Sequence, residues 1–209
     1  MKTNPRLPLM NVFEGYVRNY RSLNLEANHH VSMFTLREIE YFCRLGDMLG
    51  FISYIEDARV NGETESSRRM DMSWWKWDAR KDQENYIELA LHLERESNPK
   101  KDLDTVEKLF VESAEGYHPT HVIGIQYVTS EARVEELNQL VKQRNGVQQS
   151  HVLMVYRYVD PLFHIECVAA YTFSKGSITE VRKAYCQKDQ AGFWQMCFEE
   201  EYEARLTQV

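Results

Sequence analysis

MDMSWWKW at positions 70–77 and YIELALHLERE at positions 86–96 stand on either side of the polar run DARKDQEN, and their pairing decides the fold. The first stretch mixes aromatic and polar residues in near alternation, and the run after it has the composition of a turn. Two strands joined as a hairpin are expected. On a strand over 86–96, Ile87, Leu89, Leu91 and Leu93 fall on one face, and Glu88, Ala90, His92, Glu94 and Glu96 on the other. One face is apolar and the other acidic. A half-solvated strand of an antiparallel sheet would show the same pattern.

Downstream, LDTVEKLFVESA (103–114) carries Leu103, Val106, Leu109 and Phe110 at helical spacing, and HVIGIQYV (121–128) is a short apolar strand. Ser130 is a candidate cap for a helix over 131–144, and HVLMVYRYV (151–159) is another strand. Strand, helix, strand, helix, strand implies a partly parallel sheet with right-handed crossovers. Further on, 163–173 and 178–186 read as two strands around the turn SKGS, followed by an aromatic-rich helix near the C-terminus.

Upstream, Leu9, Val12, Phe13, Tyr16, Val17, Tyr20 and Leu23 predict an amphipathic helix over 8–28. Thr35 and Glu38 form a capping-box pattern ahead of a second helix that ends near Gly50. NGETESSRR (61–69) has no apolar residue and reads as a loop. The expected architecture is α/β: a mixed central sheet flanked by helices, with an N-terminal helical layer over 1–60 and an α/β core over 61–209 that together make one structural domain.

The 209 residues are 43% hydrophobic and 27% charged, near globular averages. The opening MKTNPRLPLMNVFEGY has no continuous apolar run, and no stretch approaches membrane-spanning length, so a soluble cytoplasmic chain is expected. Cys43, Cys167, Cys186 and Cys197 are scattered among apolar neighbours, as reduced core residues are. A net charge of −7 argues against a protein that coats nucleic acid through a basic surface. It leaves open an acidic site that meets phosphate through a divalent ion.

Carboxylates crowded at the end of a central strand repel unless a cation neutralises them, and Asp71, on the partner strand, stands ready to add its oxygens to those of Glu94 and Glu96. An oxygen-rich set of this kind suits Mg²⁺ or Mn²⁺. MDMSWWKW and YIELALHLERESN, followed by DTVEKLF and HVIGIQY, resemble the restriction-endonuclease-like, or PD-(D/E)XK, nucleases. Those proteins carry an Asp at the start of one strand and, on the next, an acidic residue, any residue, then Lys or Glu. The resemblance covers about residues 35 to 160, and its specific part is the hairpin.

The resemblance implies that Asp71 and Glu94 are the metal carboxylates and that Glu96 stands where most members have lysine. Lys108 would then supply the missing cation, and Glu38 resembles the extra acidic residue that some members add from an N-terminal helix. The implied activity is metal-dependent hydrolysis of a phosphodiester in DNA or RNA, with His92 on the same face as a binding or orienting group or as a buried strand residue.

Two other features invite function. His118 and His121 sit in one turn but lack nearby third and fourth ligands; Trp74, Trp75 and Trp77 beside Arg68 and Arg69 fit either base stacking or core packing. The rival class is a non-catalytic interaction or regulatory protein on the same fold, binding a protein partner or a second copy through its aromatic terminal helices. No Gly-rich phosphate loop, G-x-S-x-G elbow or H-E-x-x-H motif is present.

Overall fold

The computed structural model describes residues 7–60 and 69–207. Eight strands form one sheet in chain order: β1 (Ile52–Asp57), β2 (Met70–Lys76), β3 (Glu88–Glu96), β4 (His121–Tyr127), β5 (His151–Val159), β6 (Glu166–Ser174), β7 (Ser177–Lys188) and β8 (Trp194–Phe198). Pairs β3–β4 and β4–β5 are parallel, and the others are antiparallel. The two parallel pairs need crossovers, which α3 (Asp102–Leu109) and α4 (Glu131–Gln148) provide. The α/β architecture read from the sequence is therefore present.

Each face of the sheet has its own core. On one face α1 (Leu9–Asn19) and α2 (Val31–Met48) bury Phe13, Tyr16, Ile39 and Phe42 against Leu91, Leu93, Ile123, Ile125, Leu153 and Val155. On the other, α3 and α4 bury Val106, Leu109, Val134, Leu137 and Val141 against Val122, Val152, Met154 and Tyr156. With both faces covered, β4 is buried from His121 to Gln126, as its nearly continuous apolar run requires. Gly124 is the close-approach point. A Cβ there would lie 2.6 Å from Met154 Cε and 2.8 Å from Leu109 Cδ1, so the missing side chain lets α3 settle onto the sheet.

Several elements depart from the expected bounds. The first helix stops at Asn19, a 3-10 turn covers Tyr20–Leu23, and Asn24 ends it in the left-handed conformation (φ 52°). The second begins at Val31, where the His30 side chain accepts from the Ser32 N–H; Thr35 lies inside the helix, and its hydroxyl accepts from Arg95 Nη1 at 2.9 Å. The sheet begins at Ile52, within the stretch read as purely helical, because β1 is a short strand with much of its surface exposed and little periodic signal. The loop reading of 61–68, which includes Arg68, falls outside the described residues.

The strand read over 86–96 begins at Glu88, and the helix read over 103–114 ends at Leu109. Ser130 does cap α4, accepting from the Arg133 N–H at 3.3 Å. The aromatic C-terminal segment is corrected from helix to strand. Trp194–Phe198 pairs with β7, and α5 (Glu199–Leu206) starts only after it, where the Glu201 carboxylate accepts from the Phe198 N–H. Phe13 and Phe198 meet edge to face, so the aromatic faces of the terminal segments pack on the body. Among the described residues no helix is long and apolar enough to cross a membrane. All four cysteines are free thiols.

Candidate functional site

Register builds the site. Met72 faces Leu93 across the β2–β3 ladder, which sets Asp71 beside Glu94 at the end of the hairpin. The Asp71 N–H donates to Glu94 Oε1 at 2.8 Å, and the Arg95 N–H donates to Asp71 Oδ2 at 2.7 Å. Each carboxylate is thus held by the other strand's backbone. From α3, Lys108 Nζ reaches Glu94 Oε1 at 2.7 Å.

The acidic face of β3 is buried beneath α3, contrary to the half-solvated alternative: Glu94 is 6% exposed and His92 1%. Burial first, and then the Asp71 carboxylate, push Glu94 up to about 8, against the pull of Lys108. Burial likewise raises Asp71, helped by the charges of Glu56 and Glu96 and opposed by the Arg95 backbone and Lys108. Two acids that resist ionisation side by side favour whatever positive charge arrives next to them.

The remaining residues of the expected set are not joined to this pair. Glu96 is partly buried at the strand end, where its Oε1 accepts from the Asn98 N–H at 2.7 Å. Glu38 lies on the opposite face of the sheet. It accepts from Arg95 Nε (2.7 Å), Arg157 Nη1 (2.6 Å), Tyr16 OH (2.7 Å) and Tyr20 OH (3.0 Å). Burial acts to raise Glu38, but Arg157 and then Arg95 outweigh it and hold the carboxyl below its ordinary range. Glu38 is therefore saturated by structural partners, and its place in a metal set is corrected: side chains alternate along β3, so Arg95 carries Glu38 to the face away from Glu94.

The secondary candidates resolve in the same way. Burial pushes His92 down to about 4, against a hydrogen bond to the Leu109 backbone, so it is a neutral strand histidine. His121 bonds the Ala90 carbonyl through Nδ1 and accepts the Leu7 N–H on Nε2, while His118 is exposed beside Gln148. Trp74 and Trp75 are buried and unavailable for base stacking; Trp77, at 47%, is exposed.

No family model and no curated protein sequence matches the chain. What the site can hold is therefore judged from its donors. Among the described residues no three His, Cys, Asp or Glu side chains converge on one point. Two carboxylates without a nitrogen or sulfur ligand do not make a closed zinc site. Mg²⁺ and Mn²⁺ sites in general take one or two protein carboxylates and keep several waters.

Sequence reasoning missed Gln126. It is fully buried on β4, and among the described residues neither its Oε1 nor its Nε2 has a partner. The Tyr156 hydroxyl, its register neighbour on β5, also lacks one. A primary amide inside the apolar run HVIGIQY was the available signal.

Proposed function

We propose that the chain is a nuclease-like domain of the restriction-endonuclease-like kind, hydrolysing a phosphodiester of DNA or RNA through Asp71 and Glu94 with Mg²⁺ or Mn²⁺. The observation that carries this reading is the carboxylate pair itself. Asp71 and Glu94 come from adjacent antiparallel strands, the Asp71 N–H donates to the Glu94 carboxylate at 2.8 Å, and Lys108 lies on that same carboxylate. This is the arrangement that the motif resemblance implies, with the cation drawn from α3 in place of position 96.

In this reading a divalent ion held there would lower the pKa of a water and screen the phosphate charge. Asp71 and Glu94 hold the ion's side of the site. Lys108 leaves Glu94 for the phosphate and stabilises the negative charge that grows on it. The water oxygen bonds to phosphorus as the ester P–O bond breaks; Glu96, partly exposed at the strand end, takes the water's proton, and the departing oxygen is protonated from solvent.

The test is a calorimetric titration with Mn²⁺ and Mg²⁺ on the native protein and on Glu94→Ala. Saturable binding that disappears in the variant supports the site. Absence of binding in the native protein removes the enzyme reading.

One observation favours the rival, a non-catalytic interaction protein on a nuclease-like fold. Lys108 already pairs with Glu94 within the chain, at 2.7 Å, so the protein itself supplies a cation to this carboxylate. Native protein that binds no divalent ion, yet is destabilised when Lys108 is removed, is the outcome this rival expects.

A further inference from the structure

Beside the Asp71–Glu94 pair lies a row of side chains that the motif does not include. Glu96 on β3, Gln126 on β4 and Tyr156 on β5 are register partners, and alternation puts all three on the face covered by α3 and α4. Glu94 is on the same face, opposite Gly124 and two residues before the row. Gln126 is therefore the first side chain of β4 beyond the glycine that faces Glu94. Its amide is fully buried with no partner on either atom among the described residues, and the Tyr156 hydroxyl beside it has none among them either.

Buried primary amides are nearly always satisfied, because an unpaired donor or acceptor keeps its full desolvation cost. Two such groups side by side, on the inner flank of a carboxylate pair, indicate a place for a small polar guest. Outward of the row on this face Val128 and Tyr158 are buried, but Glu96, the row's own member on β3, is only partly buried, so the row reaches the surface at its β3 end. Among these groups Gln126 Nε2 and Tyr156 OH are hydrogen-bond donors, and donors suit an oxygen that bears negative charge.

We propose that Gln126, with Tyr156 behind it, forms a phosphate-oxygen subsite that orients the diester next to Asp71 and Glu94. The inference rests on the nuclease-like reading above and adds to it a substrate-orienting residue. Gln126 Nε2 donates to a non-bridging oxygen of the scissile phosphate, taking over part of the task that the lysine at position 96 would perform. When no substrate is bound, a buried water satisfies the same atoms.

The experiment compares native protein, Gln126→Leu and Gln126→Met with Mn²⁺, using a labelled oligonucleotide duplex and its single strands in DNA and RNA. In Gln126→Leu, Mn²⁺ affinity should stay within about twofold and kcat should fall about 100-fold, the scale of losing one oriented donor. Its melting temperature should hold or rise, since an unpaired amide has been replaced by an apolar group. Gln126→Met keeps the length without a donor and should lose kcat similarly; if Gln126→Leu does not fold, this variant decides. Native cleavage with unchanged kcat in both variants overturns the subsite and leaves the nuclease-like reading standing. Native protein that neither binds Mn²⁺ nor cleaves any strand overturns both.

Discussion

Lys108 Nζ sits 2.7 Å from Glu94 Oε1, yet Glu94 is pushed up to about 8, because burial and the Asp71 carboxylate outweigh one lysine. The pair is thus unbalanced: the site holds more negative potential than its own cation cancels.

Removing that cation should have a pH-dependent cost. In Lys108→Met, Glu94 can escape part of the penalty by staying protonated, so at pH 6 the loss should be about 1 kcal/mol. At pH 8.5, where the native carboxylate is ionised, it should approach about 3 kcal/mol, the scale of leaving a buried charge unpaired. Urea unfolding at the two pH values measures both; equal losses would contradict the assignment.

Glu94 itself sets a slope of stability against pH. Its folded pKa is raised to about 8, so between the ordinary carboxylate range and pH 8 the folded state holds a proton that the unfolded state has released. Stability therefore falls as pH rises through that window. Glu94→Gln should flatten the fall, read as the change in urea midpoint between pH 5 and pH 8.

His92 works in the opposite sense at lower pH. Held at about 4 in the fold, against an ordinary value near 6.5, it is neutral where the unfolded chain is protonated. Its contribution to stability is complete above the ordinary value and is lost as pH falls from there towards 4. His92→Leu should make acid unfolding less steep across that range, followed by circular dichroism.

Glu38→Gln should be more damaging than any change at Asp71 or Glu94. It would leave Arg95 and Arg157 facing each other in the core with no carboxylate between them, at a cost of about 3 to 5 kcal/mol. Mn²⁺ binding by whatever fraction remains folded should be unaffected, since Glu38 lies across the sheet from Asp71. Selective loss of metal affinity with full stability would reverse this assignment.

Much of the fold was legible because periodicity is strong where one face is buried. Ile87 to Glu96 announces its two faces, and the apolar runs at 121–127 and 151–159 announce central strands. β1 was not legible, since its partly exposed side chains carry no clear alternation, and Trp194–Phe198 passed for a helix because five aromatic-rich residues fit either period. At the site, the proximity of Asp71, Glu94 and Lys108 followed from the hairpin and the next helix. Glu38 misled because sequence spacing does not reveal which face of a sheet a helix covers. Gln126 was passed over because a single amide in an apolar run has no pattern; only the register that sets it two residues past Gly124 gives it meaning.

The buried link from Arg95 to Glu38 has one more effect, on how the chain chooses its alignment. Arg95 stands between Glu94 and Glu96, and its guanidinium must reach Glu38 on the side of the sheet they do not face. A slip of β3 by one residue would aim the guanidinium towards α3 and drive two carboxylates into the tyrosines around Glu38. The apolar residues of β3 would tolerate such a slip better than these charges do. The ion pair thus acts as a parity check on the strand, and the acids of the candidate site can face only one way in a correctly assembled molecule.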